Sequence, residues 1–376
     1  MSSNAKRPSP GAAARTLGLL RLPAQWFLYN VRPRFRRRPL YPRAICVYVT
    51  YRCNVHCRMC GIWKMSAKYR DSELSLDQFD RVFADPLFRS IELFNINGGE
   101  PNLREDLVDI TRAALARLPR LQAVSLNSNG IPAARTIANV DAIAALCRDR
   151  GVRFSVSLSL HALGEEFDRI AGSHGAFAHV DESFRGLRGM RDARGFFLSA
   201  NCVITGLNVR YLDRVLAWGQ EETIPVSFVL GEVRDRFNNA SMEDDVTLGP
   251  HERPLAVSFL RRLSESRGVH VQHAFRYREL ANMLEHGRAR RLACHYLMGG
   301  VILGSDGQLY YCKHSGPIGN SLDRSAEEIY LDADNLRYRS RDIQGRICPV
   351  CLPNTYNRME VEKDLLMVGR FLCLGR

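Results

Sequence analysis

The sequence has no uninterrupted apolar run of about 20 residues, the length a bilayer-spanning helix needs. Its nearest approach, Leu17–Val31, is broken by Arg21 and Pro23, so no membrane span is expected. It also lacks a secretory signal of the usual form, which predicts a reducing, cytoplasmic location. There is no low-complexity tract and no internal repeat, and 28 Gly and 16 Pro stand among 376 residues that are 45% hydrophobic. Collagen-like, wholly disordered and small disulfide-stapled chains are thereby excluded. A chain of this length buries a sizeable core, as two or three domains or as one large barrel with an appendage.

Acidic residues are absent from residues 1–44, which carry ten bases: Lys6, Arg7, Arg15, Arg21, Arg32, Arg34, Arg36, Arg37, Arg38 and Arg43. Setting those ten against the net charge of +13 leaves +3 on the remaining chain, so the basic character belongs to one N-terminal arm. Leucines, Trp26, Phe27 and Tyr29 followed by Arg32–Arg38 form the pattern of an interfacial anchor, peripheral on the anionic inner face of a membrane. Two other readings stay open. The aromatic stretch packs on the body of the protein, or the arm binds nucleic acid, against which stands the lack of any RNA-binding motif.

From Ile45 to about Leu230 one rhythm repeats: a short β-branched or alternating run, a turn rich in Gly, Asn or Ser, then an amphipathic stretch. Such alternation predicts consecutive β/α units around a parallel sheet. The strands fall at Ile45–Thr50, Ile91–Asn97, Ala123–Asn127, Arg153–Leu160, Phe197–Thr205 and Pro225–Leu230. Ser75 with Gln78, and Asn102 with Glu105, have capping-box spacing at helix starts. A composition break at Arg234–Pro250 reads as a long loop or linker, and 251–291 is helix-rich. The organisation is therefore a basic arm (1–44), a barrel core (45–233), a linker and helical region (234–291) and a cysteine-rich C-terminal domain (292–376).

Strand parity predicts a polar lumen. Asn95, Asn97, Ser125, Asn127, Ser155, Ser157, Ser159, Asn201 and Thr205 share one face of their strands, whereas a filled barrel would place bulky branched side chains inward. The row lines a small-molecule cavity, or its members pair among themselves.

Directly after the first strand, Cys53, Cys57 and Cys60 stand within eight residues. Three thiolates on one loop can hold three irons of a four-iron cubane and leave the fourth open. A zinc site completed by His56 is the alternative. This CxxxCxxC segment, together with Gly98-Gly99-Glu100-Pro101 after the second strand, resembles the signatures of the radical S-adenosylmethionine superfamily.

The resemblance implies an α/β fold, a partial (β/α)6 TIM-like barrel with a [4Fe-4S] cluster on Cys53, Cys57 and Cys60, whose open iron binds S-adenosylmethionine. Reductive cleavage gives a 5′-deoxyadenosyl radical that abstracts hydrogen from substrate, with flavodoxin or ferredoxin as the reducing partner. Site roles follow from it residue by residue. Glu100 and the Gly98 and Gly99 backbone hold the methionyl amine, Met59 packs near adenine, Ser157 touches the ribose and Arg169 the methionyl carboxylate. Asn129 and Thr205 are weaker cofactor contacts. Ser159 stands where many relatives carry aspartate.

Cys294, Cys312, Cys348 and Cys351 form a second set, with 17, 35 and 2 residues between them. Gly304–Cys312 reads as a hairpin, Ile318–Asn320 as a turn and Ser325–Ile329 as a short helix. The set resembles the shortened SPASM-related modules called twitch domains, which implies one auxiliary [4Fe-4S] cluster; a structural zinc is the alternative. Cys46, Cys147, Cys202 and Cys373 remain, with Cys202 expected to be buried against a helix.

Three functions compete. The first is an oxidoreductase, of dehydrogenase or epimerase type, acting on a sugar, an aminocyclitol or a lipid-linked substrate. A maturase of a ribosomal peptide is the second. Against it, the 44-residue arm is too short for the winged-helix domain many such relatives carry. The third is a zinc or iron–sulfur protein binding nucleic acid, which the combined cysteine and glycine motifs argue against.

Overall fold

The computed structural model describes residues 26–27, 30–31, 39–266, 268–352 and 358–373. The membrane-anchor reading of the arm falls mostly outside them.

All six expected strands form: β1 (Ala44–Tyr48), β2 (Leu93–Asn97), β3 (Ala123–Ser128), β4 (Arg153–Ser159), β5 (Phe197–Ile204) and β6 (Val226–Leu230). They pair in chain order, all parallel, in a sheet that stays open. Between them run α1 (Leu76–Phe83), α2 (Leu107–Arg117), α3 (Ala133–Asp149), α4 (Glu165–Ala171), α5 (Ala176–Arg194) and α6 (Leu212–Glu221). A mixed α/β partial barrel results.

The alternation of β4 shows why the strands orient as they do. Phe154, Val156 and Leu158 are buried toward the helices, while Ser155, Ser157 and Ser159 are half-buried on the other face. Register carries this polar row across the sheet, with Asn95 opposite Ser125, Asn127 opposite Ser157 and Ser159 opposite Asn201. Ile96, Leu126, Val156 and Ala200 have no exposed surface on the helix side. Each large aliphatic side chain buried this way contributes roughly 1.5–3 kcal/mol.

Beyond the barrel, α7 (Glu252–Glu265) and α8 (Val271–His286) pack against β6. Phe228 N–H donates to the Tyr277 hydroxyl at 3.1 Å, and the Arg276 guanidinium donates to Phe228 O at 3.0 Å. These side chains satisfy the free edge of the sheet, which would otherwise present unpaired backbone groups. β7 (Gly300–Leu303) then adds to β1 in parallel, Ala44 opposite Gly300, and β8 (Gln308–Tyr310) and β9 (Gly319–Asn320) follow antiparallel. The expected hairpin is β7–β8. The expected turn at Ile318–Asn320 contains β9, and α9 (Ala326–Leu331) is the short helix that follows. The cysteine-rich segment thus shares one nine-stranded sheet with the barrel. A last helix, α10 (Leu365–Cys373), packs on α8 through Phe371 and Phe275, ring centroids 5.2 Å apart.

Two local expectations divide. Ser75 and Gln78 form the capping box, with reciprocal bonds of 3.3 and 2.8 Å. Asn102 does not cap a helix, because α2 starts only at Leu107 with Asp106 at its N-cap. Its buried amide is instead recruited by the Glu100 carboxylate and by the Ser128 hydroxyl. The 234–250 segment is also no detached linker: Arg234 and Asn239 are buried, and Asn239 Nδ2 donates to Met59 O at 3.0 Å.

Candidate functional site

The cysteine loop leaves the C-terminal end of β1 and is held by backbone on three sides. Gly99 N–H donates to Thr50 O and Glu100 N–H to Arg52 O; His56 and Arg58 N–H donate to Ala171 O and Ile170 O of α4; Gly61 N–H donates to Phe237 O. A Cβ on Gly98 or Gly99 would collide with the carbonyl oxygens of Thr50 and Arg52. Glycine is therefore required where the two strand ends touch, and Gly98 adopts a φ of 151°.

Cys53, Cys57 and Cys60 all face an open cavity of about 720 Å³ at the mouth of the sheet. Burial pushes the Cys53 thiol up to about 12 and raises Cys57 and Cys60 as well, with Cys60 and Cys53 adding to the effect on Cys57. A cationic metal group bound to these sulfurs would reverse that preference and hold them as thiolates. His56 is exposed, packs at a tilt against Trp63 with ring centroids 4.6 Å apart and does not line the cavity.

Of the predicted polar row, Asn95, Asn97, Ser125, Asn127, Ser157, Ser159 and Asn201 line the cavity, whereas Ser155 and Thr205 do not. Pairing within the row occurs too. Asn127 Nδ2 donates to Asn97 Oδ1 at 2.9 Å, Ser125 Oγ to Asn95 Oδ1 at 2.5 Å, and Asn97 Nδ2 to Cys46 Sγ at 3.2 Å.

Met59, Gly98, Gly99, Asn129 and Ser157 also reach this cavity, while Glu100, Arg169 and Thr205 lie off it. Glu100 is fully buried. One of its oxygens accepts from Asn102 N–H (3.0 Å), Asn102 Nδ2 (2.8 Å) and Ser128 Oγ (2.8 Å), the other from Asn129 N–H (2.6 Å). It braces Asn129 from behind. Thr205 is fully buried in a knot with Asn208, its N–H donating to Asn208 Oδ1 at 2.8 Å. Arg169 sits in the last turn of α4. Cys202 is buried, as its strand parity requires.

Cys294, Cys312, Cys348 and Cys351 line a second, small cavity of about 20 Å³, together with Arg290, Lys313 and His314. Among the described residues, no three of these thiols converge within 4.8 Å; the group that does is Glu232, His314 and Cys351. Tyr296 and Lys313 line both cavities and so form the wall between them. On that wall the buried Glu232 carboxylate pairs with Arg234, Lys313 and His314. Burial, aided by the Arg234 charge, pushes the Lys313 ammonium down to about 7.

Sequence reasoning missed this wall, and it missed His161. Val203 N–H donates to His161 Nδ1 at 3.2 Å, and the His161 carbonyl accepts from Asn208 Nδ2 at 2.8 Å. The signal was present, because position 161 continues the parity of 157 and 159. No comparable pattern marks Glu232, Arg276 or Tyr296.

Comparisons with known proteins agree with this geometry. Residues 47–218 match the Radical SAM superfamily. A GTP 3',8-cyclase of Klebsiella pneumoniae subsp. pneumoniae is 28% identical over 215 residues, covering 54% of this chain and 59% of that protein. An Fe-coproporphyrin III synthase of Methanosarcina barkeri is 28% identical over 177 residues, 47% of this chain and 41% of its own length. The chain therefore spans less than two thirds of these relatives. In fold it is similar to Streptococcus suis SuiB bound to S-adenosylmethionine (TM-score 0.57, 12% identity, 88% of this chain and 80% of that one). It is likewise similar to anSMEcpe with bound AdoMet (TM-score 0.53, 14% identity, 87% and 98%). With three cysteines, a glycine pair and a polar sheet face meeting at one cavity, residues 47–218 of this chain are a radical SAM domain, the kind that works with a [4Fe-4S] cluster and S-adenosylmethionine.

Proposed function

We propose that the chain is an oxidoreductase that takes a hydrogen atom from a small polar metabolite, a sugar, an aminocyclitol or a lipid-linked form of either, and so oxidises or epimerises it. The observation that carries this reading is the shared wall: Tyr296 and Lys313 border both the radical SAM cavity and the cavity of the second cysteine set. Bound together, the cluster and S-adenosylmethionine supply a 5′-deoxyadenosyl radical.

Cys53, Cys57 and Cys60 would hold that cluster. Met59, the Gly98 and Gly99 backbone, Asn129 and Ser157 would bind the cofactor, with Glu100 fixing Asn129. Cys294, Cys312, Cys348 and Cys351 would hold an auxiliary [4Fe-4S] cluster in a twitch-like module, the electron acceptor a dehydrogenation requires. Asn and Ser side chains along the lumen suit a substrate rich in hydroxyl groups. The arm would hold the enzyme at an anionic membrane surface, and flavodoxin or ferredoxin would reduce it.

A second reading, maturation of a ribosomal peptide, has support in the fold likeness to anSMEcpe with bound AdoMet and Kp18Cys peptide (TM-score 0.53).

The test is product analysis on anaerobically reconstituted protein with dithionite. Methionine and 5′-deoxyadenosine should form, and Cys60→Ala should abolish both. Replacing Cys348 and Cys351 by Ala should stop oxidised product while deoxyadenosine still appears. An epimerase would instead incorporate solvent deuterium at one carbon. S-adenosylhomocysteine without deoxyadenosine would overturn the proposal.

A further inference from the structure

The last helix, α10, has two apolar faces. Val368 and Phe371 are buried and pack with Phe275, Ala274 and Leu292. Leu365, Leu366, Gly369, Leu372 and Cys373 recur at i, i+1, i+4, i+7 and i+8, which places them along another stripe of the same helix. That stripe is open: Leu366 is 70% exposed and Leu372 55%. A helix that is apolar on a second face needs a second apolar partner.

Charge around the stripe selects that partner. Arg370 is exposed at its edge. The described part of the arm lies beside the start of the helix, where Asn30 Nδ2 donates to Lys363 O at 3.1 Å and the Lys363 ammonium donates to Asn30 Oδ1 at 3.3 Å. Phe27, three residues before Asn30, is 57% exposed. The sequence of the arm holds ten bases and no acid.

We infer that α10 and the described arm residue Phe27 belong to one docking face for an anionic lipid surface, in which Leu366, Leu372 and Phe27 enter the headgroup boundary while basic side chains meet lipid phosphates. Apolar insertion plus basic attraction is what reversible interfacial binding requires. The inference deepens the membrane reading of the arm and is independent of the reaction catalysed.

The experiment is co-sedimentation of the full reconstituted chain with vesicles of phosphatidylglycerol and phosphatidylcholine, and with vesicles of phosphatidylcholine alone. Wild type should bind the anionic vesicles, and added salt should weaken binding. Leu366→Ser with Leu372→Ser should lower vesicle affinity about tenfold or more, because two apolar insertions are lost. The variant's iron content and thermal midpoint should stay unchanged, since both side chains are exposed. Deleting residues 1–38 tests the arm separately. If that deletion abolishes binding while the leucine variant binds like wild type, the role of α10 is overturned and the arm reading stands. Wild type that ignores anionic vesicles at low salt overturns both. A leucine variant that converts a dimer to a monomer, with no vesicle binding by wild type, would assign the stripe to self-association instead.

Discussion

Glu232 accepts a hydrogen bond from the Lys313 ammonium at 3.1 Å across the wall between the two cysteine cavities. Its other oxygen meets His314 Nε2, also at 3.1 Å, and Arg234 pairs with the same carboxylate. The side chains of Glu232 and Arg234 are 7% exposed and that of Lys313 15%. Removing that anion takes away the carboxylate that the buried Arg234 guanidinium and the Lys313 amine share. Glu232→Gln should therefore cost about 3 kcal/mol, the low end for breaking a buried pair, read as a shift in urea midpoint. Adding Lys313→Met should recover part of that loss, since the two residues act on each other. Equal midpoints for wild type and the single variant would refute the account.

Glu100 faces four donors and no open cavity, so its first role is structural. A glutamine there turns an amide N–H toward one of those donors. Glu100→Gln should lower stability by about 2 kcal/mol, and it should weaken S-adenosylmethionine binding only through the displaced Asn129. Calorimetry on the reconstituted protein decides this. A full loss of cofactor affinity at unchanged thermal midpoint would mean that the carboxylate meets the cofactor itself.

His161 makes stability depend on pH. Burial depresses its pKa to about 4, below the ordinary value near 6.5. As pH falls the unfolded chain takes up the proton first, so stability is full above about 6.5 and is lost as pH drops through 4. The effect is on the order of 3 kcal/mol. His273 shares the window, its pKa also held to about 4 by burial. His161→Gln should thus flatten part of the acid limb in a series of urea midpoints against pH, and an unchanged slope would count against a buried neutral ring.

Metal content tests the two cysteine sets. The reconstituted chain should carry about eight irons, and changing Cys53, Cys57 and Cys60 together to Ala should leave about four. Stoichiometric zinc beside only four irons would assign the second set to a zinc site.

Much of the barrel was legible in the sequence, because alternation and capping are relations between near neighbours in the chain. Six strands, the Ser75 box and the polar row follow from that local physics, and the same parity extended by one step would have reached His161. Asn102 looked like a cap for equally local reasons. It was claimed instead by Glu100, a buried carboxylate whose need for donors depends on what surrounds it.

By itself, the sequence determined the cysteine spacing, the glycine pair and the sidedness of each strand, since each is set within a few residues. Tertiary structure alone decided that β7 would join β1, bringing residue 300 beside residue 44 and the second cysteine set to the wall of the first cavity. It likewise decided that Glu232 would meet Lys313, and that Val368 and Phe371 of α10 would be buried while Leu366 and Leu372 stayed exposed. These outcomes depend on long-range packing and register, where burial and charge compensation choose among pairings that no local pattern encodes.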